Sequence, residues 1–354
     1  MNLYSSYCEL CPRKCGANRA AGERGACGAD GRLQVARAAL HFWEEPPVSG
    51  WRGSGTVFFS HCPMRCVYCQ NYEISSGGVG TEITPERLAQ IFLELQDQGA
   101  HNINLVTATQ YVPAVAAALR LVRPEAQGGG PVGEAAPVDT ADRAGLRPGQ
   151  LRIPVIYNTS GYELPYTLHR LDGLVDGYLF DLRYASPALA KRYSRAEDYP
   201  RVAAAALAAA VEQVGPYTTR LPLAVLDGAD AKDHADIPLL TSGVIIRQLL
   251  LPVPGGLDDA LQILRDTFER YGNTVCYSLM NQYTPMPQTA ERYPELATPV
   301  TEADYSALVD AALDLGVEHS FMQEGGTVTE SFIPAFDGEG VRRFSDHQDA
   351  PRDL

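Results

Sequence analysis

The start of the chain, MNLYSSYCEL, lacks both a basic leader and an apolar stretch, so no secretory signal is visible and a cytoplasmic location is expected. Apolar runs of membrane length are missing too. The longest bland one, Val202 to Val211 (VAAAALAAAV), has about half the length of a spanning helix and reads as a buried or half-buried helix. Positive charge is scarce: Lys plus Arg number 29 against 43 Asp plus Glu, a formal net charge of −14. That balance argues against a general binder of nucleic acid or of anionic membranes, which needs a basic face. No internal repeat is found, and residues 1–48 have too few large apolar residues for a core of their own.

Cysteine, by contrast, is present in groups. Cys8, Cys11, Cys15 and Cys27 form one, Cys62, Cys66 and Cys69 a second, and Cys276 stands alone. In a reducing compartment such groups bind metal rather than pair as disulfides. The chain therefore divides into a four-cysteine metal-binding segment over residues 1–48, a main body over 49–322 and a C-terminal extension over 323–354.

The main body alternates strand-like and helix-like stretches. Strands are expected at Gly55–Ser60, Ile103–Thr107, Ile153–Tyr157, Gly177–Phe180, Val244–Leu251, Thr274–Leu279 and, shortest, Glu318–Met322. The best-marked helix runs from Thr84 to Gln98, with Thr84 as N-cap, Pro85 at the first helical position and Gly99 as terminator, and another covers Val112 to Val122. Such alternation implies an α/β fold with a parallel sheet, either doubly wound or a full or partial barrel, with ligands at the carboxyl ends of its strands. Pro124–Gln150 and Ala224–Ser242 read as surface loops.

The stretch Ser60-His-Cys-Pro-Met-Arg-Cys-Val-Tyr-Cys-Gln-Asn71 places three thiols at C-x3-C-x2-C directly after an expected strand. A 4Fe-4S cube has four iron corners, so three thiolates leave one corner open, whereas a structural zinc site would need completion by His61 or Cys276. C-x3-C-x-aromatic-C in this context resembles the signature of the radical S-adenosylmethionine (SAM) superfamily. The resemblance implies a partial (β/α)6 barrel with a small N-terminal metal-binding extension. It also implies a 4Fe-4S cluster on Cys62, Cys66 and Cys69 whose open iron binds SAM and whose electron yields a 5′-deoxyadenosyl radical that abstracts hydrogen from substrate.

Further matches, among them His101-Asn-Ile-Asn-Leu-Val-Thr107, Tyr157-Asn-Thr-Ser-Gly-Tyr162 and Val175-Asp-Gly-Tyr-Leu-Phe-Asp181, resemble the pyruvate formate-lyase activating-enzyme-like group, in a branch with an N-terminal cysteine cluster. This implies an oxidoreductase that activates a glycyl radical enzyme and is served by a low-potential electron donor such as flavodoxin or ferredoxin. A radical SAM enzyme acting on a small metabolite or peptide is the alternative. By resemblance, Tyr68 lies beside the cluster near the adenine, and Asn71 orders the loop. Thr107 and Thr109 stand where the family contacts the methionine part of SAM, Asn158 and Ser160 where it contacts the ribose. Asp181 and Arg183 either pair with each other or touch SAM or substrate. Arg247, in an apolar strand, needs a carboxylate, which SAM or a structural Asp supplies. Gln110 and Gln248 replace histidines of that branch, and Arg183 a lysine.

Cys8, Cys11, Cys15 and Cys27 form a closed set that suits zinc or a second iron–sulfur cluster equally, with free thiols as the plain alternative. Cys276 reads as core, and packing or exposure explains the histidines.

Overall fold

The computed structural model describes residues 3–124, 149–221, 236–323 and 333–342. Its centre is a sheet of strands β1 (Leu33–His41), β2 (Ser54–Phe59), β3 (Thr81–Ile83), β4 (Ile103–Val106), β5 (Val155–Thr159), β6 (Gly177–Asp181), β8 (Leu239–Leu249), β9 (Cys276–Met280) and β10 (Ser320–Met322), with β7 (Thr218–Arg220) paired to β8. Helices α1 (Pro46–Ser49), α2 (Tyr72–Ser75), α3 (Pro85–Asp97), α4 (Val112–Val122), α5 (Pro165–Leu168), α6 (Pro187–Ser194), α7 (Tyr199–Val214), α8 (Gly256–Tyr271) and α9 (Glu302–Leu315) connect them.

The strand order is β10-β9-β8-β6-β5-β4-β2-β1-β3, parallel from β2 through β10. The parallel strands follow one another without a reversal, so a doubly wound sheet with its switch point is excluded. Successive crossovers of one hand then deliver every long helix to the same face. The apolar residues show this directly. Val57, Leu105, Tyr157, Phe180, Ile246 and Tyr277 share a core with side chains of α3, α4 and α7 to α9. On the opposite face Ile156, Leu179, Ile245 and Cys276 pack with one another. Among the described residues β10 and β2 do not pair, so the sheet is a mixed α/β layer with a largely parallel core and is not seen to close.

Helices α3 and α4 lie where the sequence places them, and the Thr84 hydroxyl caps α3 by accepting from Arg87 N. Cys276 is fully buried, as expected of a core residue. Other elements differ. Strand β5 starts at Val155 instead of Ile153, and β8 begins at Leu239, inside a stretch read as loop. Most of that stretch, and of Pro124–Gln150, lies outside the described residues, as does most of the 323–354 extension.

Strand β1 falls within the 1–48 segment yet pairs antiparallel with β2 and β3, so the sheet itself runs across the boundary drawn at residue 48. Residues 333–342 return to it: Ala38 N donates to Glu339 O, Gly338 N donates to Ala36 O, and Arg37 pairs with Asp337 and Glu339.

Gly243 has φ +107, and a Cβ there would lie 2.3 Å from Tyr217 Cα, where β7 meets β8. Gly243→Ala should therefore destabilise the fold by about 2 kcal/mol or more. Urea denaturation reads this; an unchanged midpoint would show that β7 is not held so tightly.

Candidate active site

Side chains along a strand alternate between faces, so each parallel strand presents its last inward residue at the same rim. Phe58 of β2, Val106 of β4, Asn158 of β5, Asp181 of β6, Arg247 of β8 and Met280 of β9 all line one cavity of about 210 Å³ at the carboxyl ends. Cys62, Cys66, Tyr68, Cys69, Asn71, Thr107, Ser160 and Arg183 line it as well. Thr109 does not. The backbone turns into a short 3-10 helix there, and the Thr109 hydroxyl donates instead to Glu163 Oε1 at 2.5 Å.

The cysteine loop leaves β2 through Ser60, whose N donates to Gln34 O, and through His61, whose N donates to Ile74 O. Cys62 and Cys66 are buried and Cys69 is half-buried. Ser194 Oγ donates to Cys66 Sγ at 3.0 Å and Ser75 Oγ to Cys69 Sγ at 3.3 Å, donors that suit electron-rich sulfur. The Tyr68 and Tyr184 hydroxyls lie 2.8 Å apart, and Tyr184 also reaches Ser194 Oγ at 2.8 Å, so Tyr68 is tied to the support of Cys66. Burial pushes the Cys62 thiol up to about 12, with the Cys66 sulfur adding to it, and burial raises Cys69 too. A group that is to convert these thiols to thiolates must supply positive charge at the sulfurs.

Among the described residues no three Cys, His, Asp or Glu side chains converge as a ready site for one ion. A cube that takes each thiolate at a separate corner does not ask for that convergence. Of the fourth ligands that a zinc site would need, Cys276 lies in the opposite core, while His61 lines the cavity with its Nε2 at 2.8 Å from Gln34 Oε1. Three buried polar atoms of the cavity residues, Ser160 Oγ, Arg183 Nε and Arg247 Nε, have no hydrogen-bond partner; Arg247 Nε keeps its ion pair with Glu45, and the other two are as expected where a polar ligand completes the wall. The residues present thus fit a 4Fe-4S cluster with a polar ligand beside it.

Strain concentrates in the same place. Among the described residues five non-glycine positions have positive φ, and three of them, His61 (φ 71), Arg65 (φ 51) and Thr107 (φ 58), line the cavity. For a β-branched residue this is an outlier that surrounding contacts must enforce. Gln110 does so: its Nε2 donates to Thr107 O at 2.9 Å, Ser60 O at 2.9 Å and His61 O at 3.0 Å. Gln110 is thus a buried backbone clamp. Gln248, one residue out of phase with Arg247, faces the helices and donates to Ala260 O at 2.7 Å.

Arg247 meets carboxylates that sequence reasoning missed: Glu44 at 3.3 Å and Glu45 at 3.2 Å, with Asp181 at 3.9 Å. Asp181 itself pairs with Arg183 at 2.6 Å. Burial raises the Glu44 carboxyl, against the pull of Arg247. The adjacent acids after β1 and an arginine within the apolar run of β8 were the available signal. His41, also in the cavity wall, is held down to about 4 by burial and by Arg247 and Arg37.

The N-terminal cysteines lie on a loop whose turns close through Lys14 N to Cys11 O, Gly16 N to Cys8 O and Gly28 N to Gly25 O. Cys8 and Cys27 are buried, Cys11 half-buried and Cys15 exposed. A Cβ on Gly25 would stand 3.1 Å from Cys15 Sγ and 3.6 Å from Cys27 Sγ, so these two thiols flank one backbone position.

With this geometry in view, residues 56–226 match the family model of the radical SAM superfamily. The chain thus carries a radical SAM domain over that span, which implies a SAM-dependent radical enzyme with a 4Fe-4S cluster. An uncharacterized protein of Methanocaldococcus jannaschii, MJ0674, is 24% identical over 326 residues, covering 90% of this chain and 76% of that protein. No helix of the described residues is long and apolar enough to cross a membrane.

Glu163, missed by sequence reasoning, is fully buried, accepts from Thr109, from Thr159 at 2.8 Å and from Tyr157 at 3.2 Å, and is raised by burial from 4.5 to about 7. A carboxyl raised on folding stabilises the protein fully below its unfolded value and loses that contribution as pH rises through about 7. The loss amounts to about 3 kcal/mol. Glu163→Gln, which mimics the protonated acid, should flatten stability between pH 5 and 8 in urea titrations; an unaltered slope would mean that Glu163 is ionised throughout.

Proposed function

We propose that the protein reductively cleaves SAM at a cluster held by Cys62, Cys66 and Cys69 and uses the resulting radical to take a hydrogen atom from a polypeptide, as an activating enzyme of a glycyl radical enzyme does. The observation that carries the cleavage reading is the set of three thiols, two buried and one half-buried, lining a cavity at the carboxyl ends of the strands. When bound, the cluster and SAM supply the radical chemistry; the chain supplies binding, orientation and exclusion of water.

Ser75 and Ser194 hold the sulfurs, and Gln110 fixes the loop from beneath. Ser160 and Asn158 offer hydroxyl and amide groups at the end of β5 suited to a ribose, and Thr107 offers its side chain beside them. The unpartnered Arg183 Nε suits an anionic group such as the SAM carboxylate, whereas Arg247 is already matched by Glu44 and Glu45. Thr109 has no part in this set.

The polypeptide reading rests on the cavity mouth. Trp43 and Ile333 line the cavity and are exposed, and Tyr72, next in sequence to the cavity residue Asn71, is exposed too. Aromatic rims of this kind suit a docked chain segment. The ion pairs of Arg247 and Arg183 on the cavity wall favour a second reading, a small charged metabolite or peptide. We also propose that Cys8, Cys11, Cys15 and Cys27 hold a second metal centre, zinc or iron–sulfur, and that a low-potential flavodoxin or ferredoxin in the cytoplasm reduces the enzyme. The four thiols are all in the first 27 residues, and two flank Gly25.

Anaerobic reconstitution should give a brown protein that forms 5′-deoxyadenosine from SAM under reduction, and Cys66→Ala should bring that product down to background. A colourless iron-free protein, or undiminished product from the variant, would defeat the cleavage reading. Incubation with a glycyl radical enzyme encoded beside this chain should yield a glycyl electron paramagnetic resonance (EPR) signal. SAM cleavage coupled to a metabolite with no such signal would favour the second reading. Cys8→Ser should lower metal per chain while the SAM-cleaving cluster remains; unchanged stoichiometry would dismiss the N-terminal centre.

A further inference from the structure

Arg13 lies between Cys11 and Cys15 in sequence, yet its guanidinium reaches the catalytic loop and the helix that supports it. Nε donates to Pro63 O at 3.0 Å, Nη2 to Ser194 O at 2.9 Å and Nη1 to Arg195 O at 2.5 Å. The plane also lies 5.1 Å from the Tyr162 ring centre. Pro63 stands between Cys62 and Cys66. Ser194 is the last residue of α6, and Arg195 follows it in the left-handed region at φ 51. Two carbonyls at this helix end, those of Ser194 and Arg195, are therefore met by this one side chain, whose charge suits the negative end of the helix.

The end of α6 in turn holds the cysteine loop. Val67 N donates to Tyr193 O at 2.9 Å, and Ser194 Oγ donates to Cys66 Sγ at 3.0 Å. The two cysteine loops also touch at their other ends: a Cβ on Gly28, next to Cys27, would stand 2.9 Å from His61 Nδ1, next to Cys62. A second arginine of the module, Arg19, is fully buried and donates to Asp30 O at 2.9 Å and to Gln110 O at 2.6 Å, and Gln110 clamps Ser60, His61 and Thr107. The four-cysteine module is thus packed as a bracket on the catalytic loop.

We propose that Arg13 is a positioning residue through which the N-terminal module sets the hydrogen bond from Ser194 to Cys66, and so the reduction potential of the SAM-binding cluster; this rests on the cluster assignment made above. Reduction adds negative charge to the cluster and its sulfurs, which a hydroxyl donor stabilises, so the bond raises the potential. Without Arg13 the carbonyls of Ser194 and Arg195 lose their donor, Ser194 leaves its alignment and its bond to Cys66 is lost. The effect passes through Ser194 and should not add to that serine's removal.

The test is an anaerobic potentiometric titration of the reconstituted full-length protein, following the EPR signal that SAM perturbs, which separates this cluster from any N-terminal one. Ser194→Ala should lower the midpoint potential, Arg13→Ala should lower it in the same direction, and the double variant should match Ser194→Ala alone. Arg13→Lys, which keeps the charge and loses the fork, should give a smaller shift of the same sign and serves where the alanine variant does not fold. An Arg13 variant with the wild-type potential, or a double variant whose shifts add, would overturn the proposal. A wild-type protein without a SAM-sensitive signal would instead sink the cluster assignment itself.

Discussion

The phase of the parallel strands governs this site. With strands added one after another and helices on one face, alternate residues of every strand have no choice but to point to the other, and the last of them meet at one rim. A single-residue slip in any strand would replace its contribution with one that belongs among the helices. Arg247 and Gln248 show the consequence on neighbouring residues. The first faces the cavity and is met by Glu44 and Glu45, while the second faces α8 and does no more than hold its backbone.

That constraint also explains which parts of the site were legible in the sequence. The cysteine triplet was, because its spacing is local and its position after β2 follows from a run of residues that are buried along their whole length. Helices α3 and α4 were, because apolar spacing and end signals agree there. Strand β1 was not: LQVARAALH lacks strict alternation, is rich in alanine and is shaped by its antiparallel partners. The Glu44–Arg247 and Glu45–Arg247 pairs bring together residues about two hundred positions apart, so the adjacent acids and the strand arginine each signal the need for a partner without naming it. Thr109 was misjudged by its distance from a strand end, since a 3-10 turn rotates it toward Glu163.

The glutamines look different once placed. Histidine at position 110 could bring a proton to neutral-pH chemistry, but a side chain there is aimed at three backbone carbonyls and calls for a donor. An amide supplies that donor at every pH, so Gln110 gives the loop a constant clamp where an imidazole would give a titratable one. Position 248 calls for a donor to Ala260 O in the same way. Neither residue is within the cavity lining, so the departures bear on how firmly the loop and α8 are held and do not by themselves argue for another substrate.

The strained residues connect these points. Lys14 and Arg195, among the described residues the two non-glycine positions of positive φ outside the cavity lining, lie in the N-terminal cysteine loop and at the end of α6, where Arg13 docks. Each such residue costs of the order of 1–3 kcal/mol and persists where neighbours over-determine it. Here those neighbours are Gln110 beneath Thr107 and His61, and Arg13 beside Arg195. Arg13 belongs to the N-terminal module, and Arg19 of the same module donates to the backbone of Gln110. The segment at the start of the chain is therefore part of what keeps the cysteine loop in its costly shape.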